Sequence, residues 1–125
     1  RALDVHLLPR VCVVDIDVHH GNGTEEILAH DPRCLFISLH AFGPQNDSTD
    51  AFYPGTGGSA AGRSATTRNE PLPLRYTATK LWQRWDELKR RILHFRPALL
   101  LLSSGFDAHE DDPSGGGALT TEDFR

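Results

Sequence analysis

Three stretches of the chain are continuously apolar up to the point where they meet charge: "VCVVDID" at 11–17, "CLFISLH" at 34–40 and "ALLLLSSG" at 98–105. A strand covered on both faces reads as an unbroken valine, isoleucine and leucine run, so each stretch is predicted as a buried strand of a parallel sheet. Helical patterns separate them. "NGTEEILAH" predicts a first helix with Asn22 as its N-cap and Glu25 three residues on, as in a capping box, stopped by Asp31 and Pro32. Further on, Leu81, Trp85, Leu88, Ile92 and Phe95 recur at helical spacing, with Asp86/Arg90 and Glu87/Arg91 predicted as i,i+4 pairs and Pro97 as the stop. Strand, helix, strand, loop, helix, strand predicts an α/β layered fold with a parallel sheet and right-handed crossovers. The remaining stretch, 41–73, is rich in Gly, Pro, Ser and Thr and has no usable period. It is expected to be a long functional loop at the C-terminal edge of a strand.

The first apolar run ends in Asp15, Asp17, His19 and His20. Side chains alternate along a strand, so Asp15, Asp17 and His19 would share one side if the extended backbone continued that far. Carboxylates that close, at the end of a buried strand, call for a cation, because unpaired buried charge is expensive. Zinc accepts carboxylate oxygen and imidazole nitrogen, and a catalytic zinc has three protein ligands and an open position. Asp17 and His19 supply two ligands, and Asp107 in "SSGFDAHEDDP", after the last strand, is the candidate third. Asp15 is then expected to orient a histidine or to help bind another cation. Asn22 is either a helix cap or a side chain that orients a histidine. His109 either reaches the site or faces solvent, while Asp111 and Asp112 read as solvated loop charges. Taken singly, His6, His30 and His94 carry no signal beyond a hydrogen-bonded imidazole.

Composition narrows the classes. A 125-residue chain of 24% charged and 38% hydrophobic residues is an ordinary folded domain, and its net charge of -4 leaves no basic field for direct nucleic-acid binding. No apolar stretch is long enough to span a bilayer, and no membrane partner is expected. Cys12 and Cys34 sit inside strand-like runs and are expected to be buried, reduced thiols, which suits an intracellular compartment. The chain has no methionine, and "ALTTEDFR" reads as a helix just beginning at a Thr120 cap with Asp123 in its first turn. The expectation is an internal piece of a larger domain.

The four segments "DIDVHHGNGTEEIL", "LFISLH", "FYPGTGG" and "SSGFDAHEDDP", in this order, resemble the zinc-dependent histone deacetylase family, which includes acetylpolyamine amidohydrolases. Asn22 and "GFDAHEDDP" are closer to its class II branch. The resemblance implies that residues 1–125 are the central part of one catalytic domain, truncated at both ends, with a partial three-layer α/β/α arginase/deacetylase-like fold. It implies one Zn2+ held by Asp17, His19 and Asp107, with His20 and Asn22 beside it and Asp15 as the acid that pairs with a catalytic histidine. It also implies a structural K+ near Asp15, Asp17, His19, Ser38 and Leu39, largely through backbone carbonyls, and a second such site at Leu28, Asp31 and Cys34. Tyr53 matches a tunnel-wall aromatic that is commonly phenylalanine in the family.

The family's tandem catalytic histidines and its oxyanion tyrosine match no position in these residues, so no catalytic residue is assigned. The implied activity is removal of acetyl or other acyl groups from lysine side chains of histones or other proteins. The alternatives are an acetylpolyamine amidohydrolase acting on small acylated amines and a catalytically silent module that binds acyl-lysine. A co-repressor complex, in cytoplasm or nucleus, is the implied setting. A ureohydrolase of the same fold fits less well, because Gly21 stands where a bridging acid would be needed for two metals.

Overall fold

The computed structural model describes residues 1–44, 50–59 and 62–125. Its elements run β1 (Val11–Asp15), α1 (Asn22–Leu28), β2 (Cys34–Ala41), β3 (Thr67–Leu72), α2 (Ala78–Phe95) and β4 (Leu99–Ser103), followed by a short 3-10 turn at Thr121–Phe124. The strands form one parallel sheet in the order β3-β2-β1-β4. The β1-α1-β2 crossover steps one way across the sheet and β3-α2-β4 steps the other. With right-handed connections those opposite steps place α1 and α2 on opposite faces, which makes three layers.

The core gathers on β2, which is buried along its whole length, and on Cys12 and Val14 of β1. Leu88 and Ile92 of α2 pack into it, with Leu81, Trp85 and Phe95 partly buried on the same stripe, so the predicted helical periodicity is the packed face. Cys12 and Cys34 are buried free thiols, and burial pushes the Cys12 thiol up to about 11. No helix among the described residues is long and apolar enough to cross a membrane.

The structure departs from the sequence expectations in four places. The stretch 41–73 is not all loop: β3 lies inside it as an edge strand, while 45–49 and 60–61 of that stretch fall outside the described residues. Hydrophobic pattern missed β3 because its buried positions include Thr67, Asn69 and Glu70, stabilised by hydrogen bonds and ion pairs. Glu70 meets Arg68 Nε at 2.6 Å and Arg84 Nε at 3.8 Å. Pro71 is tolerated because an edge strand need not donate from both sides.

Second, β4 is not covered on both faces. It is the outer strand beside β1, and Leu100, Leu101 and Leu102 are exposed. Third, Gly21 rather than Asn22 is the N-cap of α1, and Glu25 turns into the interior instead of closing a capping box. Fourth, Glu87 faces Arg68 of β3 at 3.6 Å, and neither predicted i,i+4 pair of α2 forms among the described residues. The expected Thr120 cap does form, with Asp123 Oδ2 accepting from the Thr120 amide at 2.8 Å and from its hydroxyl at 2.9 Å.

Candidate metal centre

In register, Asp15 lies opposite both Ser38 of β2 and Ser103 of β4. The segments that follow β1 and β4 therefore leave the same edge of the sheet side by side. Beyond Asp15 the chain bends at 17–19 instead of remaining extended. Carboxylates hold that bend, each accepting from an amide two residues on: Asp17 N donates to Asp15 Oδ1 at 3.1 Å, and His19 N to Asp17 Oδ1 at 2.8 Å. Across the gap, Asp107 Oδ1 accepts from Val18 N at 3.1 Å and ties the two strand ends together.

One ligand-type atom each from Asp17, His19 and Asp107 falls within 4.8 Å of the other two. His19 Nδ1 stands 3.0 Å from Asp17 Oδ1 and 2.8 Å from Asp107 Oδ2. The three side chains are between 22% and 35% exposed, so the cluster is reachable from solvent. Two carboxylates and one imidazole nitrogen give a small oxygen–nitrogen donor set with an excess of negative charge. Gly105 makes the approach possible: a Cβ there would collide with Asp17 Oδ2 and stand 2.7 Å from Asp107 Oδ1. Tyr76, buried on the same side, carries the described buried side-chain atom with no hydrogen-bond partner, and the charges of Asp107 and Asp17, after burial, push its hydroxyl pKa up. The donor set fits residues arranged around a divalent cation.

Phe52 stacks on His19 with ring centroids 5.2 Å apart, and Tyr53 meets the same imidazole edge-on at 5.8 Å. Phe52 is buried, whereas Tyr53 is 74% exposed. Asp15 is buried, and burial raises its carboxyl pKa against the amide of Asp17 and the hydroxyl of Ser103, which pull it down. Ser38 and Leu39 are fully buried beside it on β2. In the second expected cation site, Leu28 O accepts from Asp31 N at 3.1 Å and Asp31 O from Cys34 N at 2.9 Å, so these carbonyls already close a turn.

His20 faces the other way. Its Nε2 lies 3.2 Å from Glu25 Oε2 and 3.0 Å from Asn69 Oδ1, and its Nδ1 lies 2.7 Å from Thr56 Oγ1. Burial lowers the His20 pKa, and it takes the adjacent His40, bonded to Ser38 Oγ and Gly57 O, down to about 4. Sequence reasoning did not single out His40, Asn69 or Thr56, and it read Glu25 only as a capping-box residue. The available signal was polar: Ser38 and His40 interrupt an otherwise apolar β2. Asn22 is exposed at the start of α1, its Oδ1 accepting from Gly23 N at 3.0 Å. His109 turns to Thr121 Oγ1 at 3.1 Å and stacks on Phe124, which resolves its alternatives away from the three-residue cluster.

Comparison with known proteins matches all of residues 1–125 to the family described as "Histone deacetylase domain". The chain is similar to a "Type-2 histone deacetylase 2" of Dictyostelium discoideum, 40% identical over 123 residues, covering 92% of this chain and 7% of that protein. It is 38% identical over 129 residues to a "Histone deacetylase 10, chloroplastic" of Oryza sativa subsp. japonica, covering 98% of this chain and 27% of that one. Among solved structures, acetylpolyamine aminohydrolase from Burkholderia pseudomallei superposes with a TM-score of 0.79 at 35% identity, over 94% of this chain and 34% of that one. The chain thus spans about a third or less of each of these three proteins.

Proposed function

This chain belongs to the histone deacetylase family, and we propose that its Asp17, His19 and Asp107 hold the single divalent metal, Zn2+, of an amide hydrolase that removes acetyl groups from lysine side chains. The observation that carries the reading is the convergence of those three donors at the carboxyl edge of a parallel sheet, where such folds place their sites. A zinc ion bound there supplies Lewis acidity toward an amide carbonyl and toward water. Asp17 and Asp107 provide the negative charge that retains a dication, and His19 provides a neutral nitrogen. Asp15, fixed by the Asp17 amide, holds the bend that presents Asp17 and His19 together. Phe52 and Tyr53 line the approach to His19 and suit the long, uncharged stem of an acyl-lysine. A potassium ion bound by carbonyls around Asp15, Asp17, His19, Ser38 and Leu39 completes the proposed inventory.

The substrate is an acetylated protein, histones among them. The likeness to an acetylpolyamine aminohydrolase supports a small acylated amine as the second reading. With a net charge of -4 the chain is proposed to reach chromatin through protein partners, such as a co-repressor complex, in nucleus or cytoplasm, rather than by binding nucleic acid.

The test is hydrolysis of an acetyl-lysine peptide and of an N-acetylated diamine by the intact protein, with and without a chelator, beside Asp107→Ala. Peptide turnover that disappears on chelation and in the variant is the expected result. Turnover of the diamine alone moves the assignment to polyamines. A folded, metal-loaded protein that hydrolyses neither is a binding module.

A further inference from the structure

Consecutive histidines hold opposite ends of one turn. The turn runs from Phe52 to Gly57 and is closed by Gly55 N donating to Phe52 O at 2.8 Å. At its first end Phe52 stacks on His19 while its amide donates to Gly43 O at 2.8 Å. At its other end Thr56 and Gly57 rest on His20 and His40. Gly57 has φ +80, and a Cβ there would stand 2.5 Å from His40 Nε2 and 2.7 Å from His20 Cγ, so backbone lies directly against the two imidazoles.

Donor and acceptor counting fixes the polarity of this second anchor. His20 Nε2 faces two acceptors, Glu25 Oε2 and Asn69 Oδ1, so the ring proton sits there. The Nδ1 of the neutral ring is left with a lone pair, and the Thr56 hydroxyl donates to it at 2.7 Å. Glu25 is itself fixed, its Oε1 accepting from Arg63 N at 2.9 Å and Asn69 Nδ2 at 3.2 Å. His40 Nε2 donates to Gly57 O at 3.1 Å, which leaves its Nδ1 to accept from Ser38 Oγ at 2.9 Å. The chain of bonds Glu25 to His20 to Thr56 therefore has one direction and no slack.

We propose that Thr56, held by the buried Glu25–His20 pair, is a positioning residue that sets Phe52 and Tyr53 against His19 and thereby fixes the entry for the acyl-lysine stem. The proposal rests on the hydrolase reading for its substrate. Thr56 touches neither the three-residue cluster nor the substrate; it acts through the turn. Its hydroxyl governs how tightly acyl-lysine is held rather than how fast the amide is cleaved.

The experiment compares Thr56→Val, which keeps the shape and deletes the donor, with Thr56→Ser, which keeps the donor, in the intact metal-loaded protein. An acetyl-lysine peptide is the probe for kinetics and for direct binding. Leaving a buried acceptor unpaired is expected to raise both KM and the directly measured Kd about ten-fold in Thr56→Val. The expected kcat stays within about two-fold, with unchanged metal content and with Kd and KM restored in Thr56→Ser. Unchanged Kd in a folded Thr56→Val, or a rise that serine does not rescue, overturns the proposal. Should the valine variant fail to fold, Thr56→Ala deletes the same donor without placing a methyl group against His20 Nδ1. A wild-type protein that binds metal and peptide without turnover overturns the hydrolase reading alone, since the Kd comparison still judges Thr56. One that binds no peptide overturns both.

Discussion

His19 and His20 leave the end of β1 in opposite directions, and the surroundings of the two rings differ in charge balance. Around His19 two carboxylates converge on one imidazole nitrogen, and all three groups remain open to solvent. Around His20 the Glu25 carboxylate is met by the Arg63 amide, the Asn69 amide, the His20 ring and, at 3.9 Å, the Arg63 guanidinium, and the His20, Glu25 and Asn69 side chains are buried. Negative charge is left over at the first histidine and compensated at the second. A cluster short of positive charge and reachable from solvent can take up a cation; a balanced, buried one can only hold parts of the protein in place. The comparison separates a histidine suited to a cation site from one suited to holding the fold by bookkeeping of donors, acceptors and charge rather than by residue type.

The largest expected effect breaks the balanced side. Glu25→Ala leaves the Asn69 and Arg63 amides without their acceptor and His20 with Asn69 Oδ1 alone, and loss of one partner from a buried charged network costs about 3–5 kcal/mol. Urea unfolding measures it, and a loss below about 1 kcal/mol, the scale of an exposed pair, would show that the network does not hold the fold.

Acidification acts on the same side with a somewhat smaller effect. His40 stays neutral when folded down to about 4, against 6.5 for a free imidazole, so its contribution is fully present above 6.5. Between those values the unfolded chain takes up a proton that the folded chain refuses, and stability falls with falling pH. At the bottom of the window the His40 contribution to that loss reaches about 3 kcal/mol. The lowered pKa of His20 works in the same direction. The raised Asp15 works in the other, since its folded carboxyl takes a proton before the unfolded one does. Two histidines against one aspartate predict a net loss, readable as a falling urea midpoint from pH 7 to pH 4. A midpoint that rises over that range would reverse the sign argument.

The smallest effect sharpens the other side. Gly105→Ala places a Cβ against Asp17 and Asp107 and pushes the two carboxylates apart. Divalent metal affinity is expected to fall by about 10- to 100-fold, the scale seen when groups that orient metal ligands are disturbed. Dye-competition titration with zinc measures it. The urea midpoint is expected to move little, because the residue lies in a loop outside the packed core. Equal losses of metal affinity in Gly105→Ala and Glu25→Ala would erase the distinction between the two regions.

Much of this arrangement is legible along the chain. The apolar runs of β1 and β2 and the stripe of α2 report burial directly, because a residue covered on all sides must be apolar or matched. Asp17 and His19 stand out because charge at the end of such a run has no packing explanation, and Asp107 follows from the same edge of the next apolar strand. β3 was illegible for the converse reason: Asn69 and Glu70 are buried by having partners, and those partners, His20, Glu25, Arg68 and Arg84, lie mostly at distant positions. β4 was misread in the opposite sense. Four consecutive leucines encode a preference for burial but not whether a neighbour covers them, and here Leu100 to Leu102 remain exposed at the outer strand.

The sequence by itself determined which residue types could meet: two acids and a histidine at strand ends, a parallel α/β order, and a family pattern spanning the whole chain. The sequence also singled out His19 as the candidate ligand of the adjacent pair; only the tertiary structure decided how His19 reaches the acids and what His20 holds instead. Alternation along an extended strand would have placed Asp15, Asp17 and His19 together. The bend after Asp15, held by the carboxylates of Asp15 and Asp17, instead directs Asp17 and His19 toward Asp107 and turns His20 into the interior. That choice depends on Asp107, Glu25, Thr56 and Asn69, up to 89 positions away along the chain. Local pattern carries burial and propensity, but the pairing of donors with acceptors is settled only when distant segments are brought within hydrogen-bond reach.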